Sequence, residues 1–371
     1  MEDVLGVINL SNDRHELNEL TFHRSSASVP FGGRYRLIDF TLSNMVNSRI
    51  RDVAVFALNN YRSLMDHLGT GAEWDLNRKR GGLFFLPPFL EYSSVHLKGD
   101  LHHFFDHIDF FYRGQQKYVL ISSGNLVANM DFRPVFEFHK MTGADITVIY
   151  KELNPELDNE KSYKKIKMNE NGRIVEMDHE LNQLQSNKGS LEIYILEKQL
   201  LLDLIQTNIE NGKYDFLKHC IIDHLDQLKT VGFKYTGYAV KIDSLQSYYH
   251  HSIKLLSENL WQKLFVKPGL IYSKGKDDPP AKYFAGSEVS NSIIANGCLI
   301  EGKVENSILF RGVKVHKGAV IKNSIIMPKS EIGKNTVIEN AILDKEVFVS
   351  PGRTLIGTKD QPLVLEKKSM I

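Results

Sequence analysis

A four-residue unit that recurs towards the C-terminus constrains the fold of this 371-residue chain more than any other feature. It begins at Asn291 as Asn-Ser-Ile-Ile and returns in similar form at Asn306, Asn323 and Asn340. Aliphatic residues also return every six positions, as at Ile326, Ile332 and Ile338. This pattern is typical of a solenoid with triangular coils of about 18 residues. It predicts a left-handed parallel β-helix of the hexapeptide type, with four imperfect coils.

Two other readings of the repeat are less favoured. An antiparallel β-domain would require the unit to recur by coincidence. An acyltransferase, which also uses such coils, normally needs a histidine on them, and His316 is the sole histidine of the repeat. A lone histidine on a coil is more often a solvated surface residue. We therefore expect structural coils that dock at one end on another domain or subunit.

The chain before residue 263 has a different pattern, in which β-branched runs alternate with helical segments. The runs cover residues 4–8, 53–58, 118–122 and 145–150, and helices are predicted over 100–113 and 134–141. This alternation predicts a Rossmann-like α/β domain with a mostly parallel sheet. Ligands of such sheets bind where loops leave the carboxyl ends of strands, so the segments after Ile8 and Ile121 are candidate sites.

Composition sets the domain boundaries and excludes several classes of protein. Pro, Gly and charged residues collect after residue 266, so we predict an α/β domain at 1–262, a linker at 263–284 and a β-helix at 285–371. A net charge of +1 gives no field for nucleic acid. The N-terminal apolar run is too short for a signal peptide or membrane span. Cys220 and Cys298 lack metal-site spacing. We expect a cytoplasmic protein that binds neither nucleic acid nor membrane.

The segment Pro30–Phe40, followed by Leu42-Ser43-Asn44, closely resembles the signature of glucose-1-phosphate adenylyltransferases. That family, also called ADP-glucose pyrophosphorylase, is a group of nucleotidyltransferases that make ADP-glucose and pyrophosphate from ATP and glucose 1-phosphate for glycogen synthesis. The resemblance covers nearly the whole chain, including Asp215-Phe216 near the family's sugar site and the C-terminal β-helix. It implies a nucleotidyltransferase fold.

The residues that would grip phosphates in that family are replaced here. The family's Gly-Gly-Arg-Gly-Thr-Arg loop falls on residues 11–16, where Asp13 and Glu16 occupy the two arginine positions. Carboxylates there would repel a triphosphate, although Arg14 lies next to Asp13. Ser26 falls on a phosphate-binding lysine. The resemblance thus implies a site that has lost its positive charge.

The metal and sugar positions are also changed. Asn125 falls on the magnesium-binding aspartate, and a neutral amide is a poorer ligand for a hard cation. Glu180 falls on the sugar-phosphate lysine, and His219 falls on the aspartate of the family's Phe-Gly-Lys-Asp motif. The family's Gly-Thr-Ala segment is Gly99-Asp100-Leu101 here. We expect no intact catalytic residue, no metal site and no cofactor for this chain.

Loss of the catalytic set beside a retained signature is typical of a regulatory pseudoenzyme. The resemblance to the family's non-catalytic members implies a partner subunit that joins a catalytic homologue in a heterotetramer and modulates it, with Mg²⁺ serving the catalytic partner. The family places activator-binding cations near residues 23–36. The corresponding candidates for a phosphorylated metabolite effector are His23, Arg24, Arg34 and Arg36.

Two alternatives remain open from the sequence. A weakly active adenylyltransferase would need replacement ligands, for which Arg14, Asp100 and Asp131 are candidates. A stand-alone sensor of nucleotide or sugar phosphate would keep the pocket and need no partner. Surface arginines paired with Asp39 are the simplest alternative to an effector site.

Overall fold

The computed structural model describes residues 1–11, 17–88, 98–155, 158–180 and 184–371. The chain forms two compact units that interleave along the sequence. Unit 1 contains residues 1–14, 40–241 and 267–271, and unit 2 contains residues 15–39, 242–266 and 272–371. No helix in the described ranges is long and apolar enough to cross a membrane.

Unit 1 is an α/β structure whose strands alternate with helices. Its strands are β1 Val4–Leu10, β4 Asp52–Ala57, β5 Gly82–Leu86, β6 Tyr118–Ser122, β7 Leu126–Ala128, β8 Ile146–Glu152, β9 Ile166–Met168, β10 Ile174–Met177, β11 Lys188–Glu197, β12 Thr230–Lys234 and β13 Ala239–Lys241. Its helices are α1 Leu37–Asn47, which begins in unit 2, α2 Arg62–Leu68, α3 Asp100–Asp106, α4 Ile108–Arg113, α5 Arg133–Thr142 and α6 Lys198–Glu210. Single turns lie at Ala72–Trp74, Glu160–Ser162, Leu217–Ile221 and Ile222–His224.

Seven of these strands form the central sheet, in the order β12-β8-β11-β6-β1-β4-β5. β1 pairs in parallel with both β4 and β6, whereas β11 runs antiparallel to β6 and β8. The mostly parallel sheet predicted from the sequence is therefore confirmed. Strand β1 is buried along nearly its whole length, as the near-continuous apolar sequence of a central parallel strand requires.

One helix predicted from the sequence is divided into two in the structure. The segment 100–113 was expected to be continuous, but α3 ends at Asp106 and α4 begins at Ile108. His107 between them has φ −105° and ψ 24°, and its Nε2 lies 2.8 Å from the Pro87 carbonyl oxygen. That tertiary contact accompanies the break, which the hydrophobic periodicity does not reveal.

Unit 2 contains a hairpin, two helices and a solenoid. The hairpin strands are β2 Pro30–Phe31 and β3 Tyr35–Arg36, the helices are α7 Leu245–Lys254 and α8 Glu258–Phe265, and single turns lie at Asn18–Leu20 and Ser26–Ser28. The solenoid strands are β14 Lys282–Tyr283, β15 Glu288–Ser290, β16 Ile293–Ile294, β17 Leu299–Ile300, β18 Lys303–Glu305, β19 Ile308–Leu309, β20 Lys314–Val315, β21 Val320–Lys322, β22 Ile325–Ile326, β23 Glu331–Ile332, β24 Val337–Glu339, β25 Ala341–Leu343, β26 Phe348–Val349, β27 Thr354–Ile356 and β28 Leu363–Leu365.

The solenoid strands stack in three parallel sheets of five strands each. The prediction of a left-handed hexapeptide β-helix is confirmed, but the expected four coils are five. The fifth coil was missed because its last strand pairs Val364 with Ile342, a wider separation in sequence than the pairing of Ile342 with Ile325 in the coil before. The first strand, β14, lies in the segment that was predicted to be linker.

The recurring Asn-Ser-Ile-Ile unit has a distinct role for each residue. The asparagines occupy coil corners at φ 40–49°, a left-handed conformation that asparagine tolerates better than most residues. The serine hydroxyls link successive coils, because Ser307 Oγ accepts from the Ser324 N–H at 3.0 Å. The second isoleucine faces the interior, as Ile326 does in the buried core of the solenoid.

The first isoleucine of each unit points away from the solenoid core, since neighbouring strand residues face opposite sides. Ile308, Ile325 and Ile342 are nevertheless fully buried. Helix α7 contacts β22, and a Cβ on Gly33, at φ +83°, would lie 3.0 Å from Ile293. These outward isoleucines thus explain why residues 15–39 and 242–266 group with the coils, whereas the predicted boundaries assigned them to the α/β domain.

We expect Asn323→Ala to lower the free energy of unfolding of unit 2 by about 1–3 kcal/mol, because alanine is strained at positive φ. Asn323→Gly should lose less, since glycine adopts this conformation freely. Urea denaturation followed by circular dichroism measures both. Equal losses from the two variants would show that side-chain contacts, and not backbone conformation, maintain the corner.

Candidate functional site

The edge of the unit 1 sheet at the carboxyl ends of β1 and β6 is where ligands bind in folds of this type. Helix α3 begins beside this edge, and the segment around Phe216 packs against it through a backbone hydrogen bond to Asp100. The loop after β1 would carry phosphate-binding residues, but Asp13 and Glu16 lie outside the described residues, as does Arg14.

Asp100 lies at the centre of a closed polar network at this edge. Its carboxylate accepts hydrogen bonds from Asn9 Nδ2 at 2.9 Å and from the Phe216 N–H at 2.8 Å. The residue is 2% exposed. Burial raises the pKa of Asp100 to about 6, and the nearby Asp215 charge adds to the increase. At neutral pH the edge therefore contains a buried negative charge, which disfavours a triphosphate.

His103 fills the space next to this network. Its Nδ1 lies 2.7 Å from Ser11 Oγ, and its ring packs edge-on against Phe56 at 5.2 Å. Burial, with the neighbouring His107, lowers the pKa of His103 to about 4, so the imidazole is neutral at pH 7. A neutral, buried imidazole supplies no positive charge for phosphate groups.

The remaining predicted site residues of unit 1 lie in different local environments. Asn125 is half-buried in the turn between β6 and β7, and Glu180 is exposed. His219 is held by its own loop, because its Nδ1 accepts from the Asp215 N–H at 3.0 Å. Burial lowers the pKa of His219. All three residues lie in unit 1, in separate segments of the chain.

Asp131, a candidate replacement metal ligand, is already paired. Arg133 Nε donates to its two oxygens at 2.9 and 3.0 Å. Burial would raise the pKa of Asp131, but hydrogen bonds from Arg133 outweigh it and lower the pKa. Among the residues that the structure describes, no group of three or more His, Cys, Asp or Glu side chains is placed to hold a metal ion.

In unit 2, Arg24 proves to be a structural residue. It is 3% exposed, and its guanidinium lies 2.6 Å from Asp344, which is 1% exposed. Breaking such a buried pair typically costs about 3–5 kcal/mol because one charge is left uncompensated. Arg24 is therefore a poor candidate for direct contact with an effector. Ser26 is buried in a single helical turn.

Arg34 and Arg36, in contrast, belong to a concentration of positive charge that includes solenoid residues. We define the cationic cluster as Arg34, Arg36, Lys276, Arg311 and Lys345. Burial, then repulsion from Arg36 and Arg24, lowers the pKa of Lys345 to about 7. Burial and Arg34 lower the pKa of Arg311, and burial, Arg311 and Arg36 lower that of Lys276. His23 is exposed and has no contact with the cluster among the described interactions.

Sequence reasoning did not identify the solenoid members of the cluster, because they lie far along the chain from residues 23–36. Arg311 follows β19 and Lys345 follows β25 by the same number of positions, and both strands pair with β22 between them. The two cations therefore occupy equivalent corners of the solenoid. A scan of the coil repeat for basic residues at one corner would have found them. Without the fold, nothing connects that corner to Arg34.

Comparison with known proteins relates both units to described families. Residues 15–252 match the family described as Nucleotidyl transferase, and residues 279–362 match GlmU-like, C-terminal hexapeptide. The chain is 44% identical over 365 residues to Glycogen biosynthesis protein GlgD of Bacillus subtilis (strain 168), covering 98% of this chain and 96% of that protein. The protein of the same name in Geobacillus stearothermophilus is 45% identical with the same coverage.

Similarity extends to proteins named as enzymes. Glucose-1-phosphate adenylyltransferase of Geobacillus stearothermophilus is 35% identical over 312 residues, covering 82% of this chain and 80% of that protein. The corresponding protein of Clostridium perfringens (strain 13 / Type A) is 31% identical over 325 residues, covering 86% and 82%. The similarity in each case spans most of both chains.

Asp100 should make stability depend on pH in a defined direction. Its folded pKa of about 6 lies above the ordinary value of 3.8, so its contribution to stability is present below pH 4 and is lost as pH rises through 6. Between pH 4 and 7, the free energy of unfolding of Asp100→Asn should rise relative to the native chain by up to about 3 kcal/mol.

Chemical denaturation at intervals of pH measures this difference. The control is Asp109→Asn, at an exposed position of α4, which removes a carboxylate without touching the Asp100 network. A difference for Asp100→Asn that does not change with pH, or one that Asp109→Asn shows equally, would contradict the assignment of a buried carboxylate at this edge.

Proposed function

This chain belongs to the nucleotidyl transferase family, and from that premise we propose that it acts as a regulatory partner subunit in glycogen biosynthesis. In this proposal it has a degenerate glucose-1-phosphate adenylyltransferase site and enhances or modulates a catalytic homologue in the cytoplasm. The glycogen-biosynthesis role is supported by the proteins named GlgD, which align with 98% of the chain. The partner is proposed from the proteins named Glucose-1-phosphate adenylyltransferase, which align at 31% and 35% identity.

The observation that carries the proposal is the polar network around Asp100. Nucleotidyl transfer needs positive charge and donors directed at the triphosphate. At this edge the carboxylate of Asp100 is buried, and the donors of Asn9 and Phe216 are directed at that carboxylate. Losing one transition-state contact typically costs about 2.7–4 kcal/mol, and several have changed here. Little or no turnover by the chain alone is the consequence.

The two alternatives have less support. A weakly active enzyme would need Asp100 or Asp131 as metal ligands, yet each carboxylate is already satisfied within the chain. A stand-alone sensor would need an open nucleotide pocket, whereas His103 and Asp100 are buried at that edge. A partner role requires neither ligand binding nor catalysis at this edge. The proposed assembly is a heterotetramer with the catalytic homologue, in which the Mg²⁺ belongs to the catalytic subunits.

The purified chain should form no measurable ADP-glucose from ATP and glucose 1-phosphate in the presence of Mg²⁺. A mixture with the catalytic homologue from the same genome should exceed the homologue alone, and the two chains should co-elute in size-exclusion chromatography with light scattering. Brisk turnover by this chain alone would contradict the proposal. Co-elution without any change in rate or effector response would reduce it to a structural role.

The proposal includes a phosphorylated metabolite effector bound by the cationic cluster of unit 2. The carboxylates of Asp39, Asp278 and Asp344 offset part of the positive charge there. The five cations of the cluster still exceed these carboxylates, and Asp344 is already paired with Arg24. Crowding of like charges is unfavourable, and an anion relieves it. Burial is the main cause of the lowered pKa of Lys345, and repulsion from Arg36 and Arg24 adds to it.

The four effector-binding candidates predicted from the sequence have different roles in this proposal. Arg34 and Arg36 keep the proposed role of direct contact with the effector. His23 is peripheral, because it is exposed and outside the cluster. Arg24 acts indirectly by fixing the solenoid corner through Asp344.

An anion bound at the cluster should raise the pKa of Lys345, so its affinity should fall as pH rises through 7. Sulfate is a suitable probe because its charge is constant over this range. Isothermal titration calorimetry at pH 6 and pH 8 should show affinity up to about tenfold weaker at pH 8, since a single proton is linked to binding. Lys345→Met should weaken binding and remove most of this pH dependence.

Lys359→Met is the matched control, because Lys359 is an exposed lysine of the same solenoid. It should bind sulfate as the native chain does. If Lys345→Met and Lys359→Met behave alike, the cationic cluster is not the anion site.

A further inference from the structure

A strained glutamate lies in the middle of β11. Glu192 has φ +54°, in the left-handed region that favours glycine. The register of β11 against β8 shifts between Ser190 and Ile193, so the strand bulges at this position. The Glu192 N–H donates to Ser190 Oγ at 3.0 Å, which fixes the bulge. Outliers of this kind persist where the surroundings enforce them, and they concentrate at functional sites.

Two lysines from other parts of unit 1 hold the Glu192 carboxylate. Lys241 Nζ, at the end of β13, lies 2.5 Å from Oε2, and Lys164 Nζ lies 3.3 Å from Oε1. The exposed fractions of the side chains are 8% for Lys241, 24% for Lys164 and 21% for Glu192. Burial would raise the pKa of Glu192, but Lys241 and Lys164 outweigh it and lower the pKa to about 2.

A third lysine in the neighbourhood, Lys151, has partners of its own. Lys151 Nζ donates to Asp158 at 2.7 Å and to the Ala239 carbonyl oxygen at 2.9 Å, so its ammonium is satisfied elsewhere. One carboxylate thus sits between two cations, one oxygen for each. Lysine ammonium groups also bind phosphate oxygens through charge-assisted hydrogen bonds, so two cations in these positions suit a phosphate group.

The position of Lys241 connects this pair of lysines to the ligand side of unit 1. Strand β13 pairs with β7, and Lys241 is opposite Leu126. Leu126 directly follows Asn125, the residue that falls on the metal-binding aspartate of the adenylyltransferases. The Lys241 ammonium group therefore places a positive charge on this side of unit 1. The Glu192 carboxylate neutralises this charge, although the positive φ of Glu192 is unfavourable for a residue other than glycine.

We propose that Lys164 and Lys241 form a binding site for a phosphate monoester dianion, and that the chain keeps this site filled with its own Glu192 carboxylate. Glu192 takes the place of the ligand, so the native chain does not compete for phosphorylated substrates. Occupancy of this site is a property of the isolated chain and is independent of any partner subunit. Failure of the test below would therefore leave the partner role untouched.

Glu192→Gly removes the carboxylate and suits the left-handed backbone. Calorimetric titration with inorganic phosphate and with glucose 1-phosphate should show one more bound anion per chain than the native protein. The added site should bind phosphate at least tenfold more tightly than the residual binding of the native chain at the same position. Glu192→Gly combined with Lys241→Ala should lose the added site. Because the comparison is with the native chain, binding at the cationic cluster of unit 2 appears equally in every variant.

Glu346→Gly is a matched control. Glu346 is also a glutamate at positive φ, 62°, and it faces Lys368 at 3.9 Å on the solenoid. This variant should gain no anion. If Glu192→Gly folds as judged by circular dichroism and binds no additional phosphate, or if the control gains the same anion, the proposal is wrong.

Two unpaired lysines can prevent Glu192→Gly from folding at low ionic strength. In that case, phosphate should restore its thermal transition, whereas chloride at equal ionic strength should not. Restoration by both salts alike, or by neither, would overturn the proposal, because simple screening or an unrelated defect would then explain the behaviour.

Discussion

Taking an ionised side chain out of water costs several kcal/mol unless opposite charge or hydrogen-bond donors compensate it. In both units of this protein the compensation comes from inside the chain. Arg24 is neutralised by Asp344, and Glu192 by Lys241. Asp100 is compensated by hydrogen-bond donors that only partly offset its burial, and its pKa is raised accordingly. Each of these charges is therefore compensated by groups of the same unit.

Most of the fold could be predicted because its signals are local. The solenoid repeat and the β-branched runs of the sheet are periodic in sequence, and β6 has the predicted bounds. The fifth coil could not be predicted, since its last strand lacks the Asn-Ser-Ile-Ile unit and follows a longer loop. The interleaving of the units also escaped prediction, because the buried outward isoleucine Ile325 looks in sequence like any other core residue.

The sequence predicted which family residues are replaced at the candidate site, but not how the replacing side chains contact one another. Resemblance identified Asn125 and His219 as changed positions, and it could not show that His219 accepts a bond from its own loop. The Asp100 network joins residues 9, 100 and 216, which no short motif connects. Glu192 gave no signal, because glutamate does not indicate a left-handed backbone as glycine or asparagine does.

Internal compensation also makes single substitutions at Glu192, Lys164 and Lys241 unfavourable. Exchanging Lys241 for an acidic residue would bring two carboxylates together beside Lys164, and like charges at that distance disfavour ionisation of both. Removing Glu192 alone leaves two ammonium groups facing each other. Each intermediate has an uncompensated charge in a partly buried place, so single substitutions among these three residues lower stability. In the proposal that Glu192 fills an anion site, the interactions that stabilise unit 1 are also those that keep the site occupied.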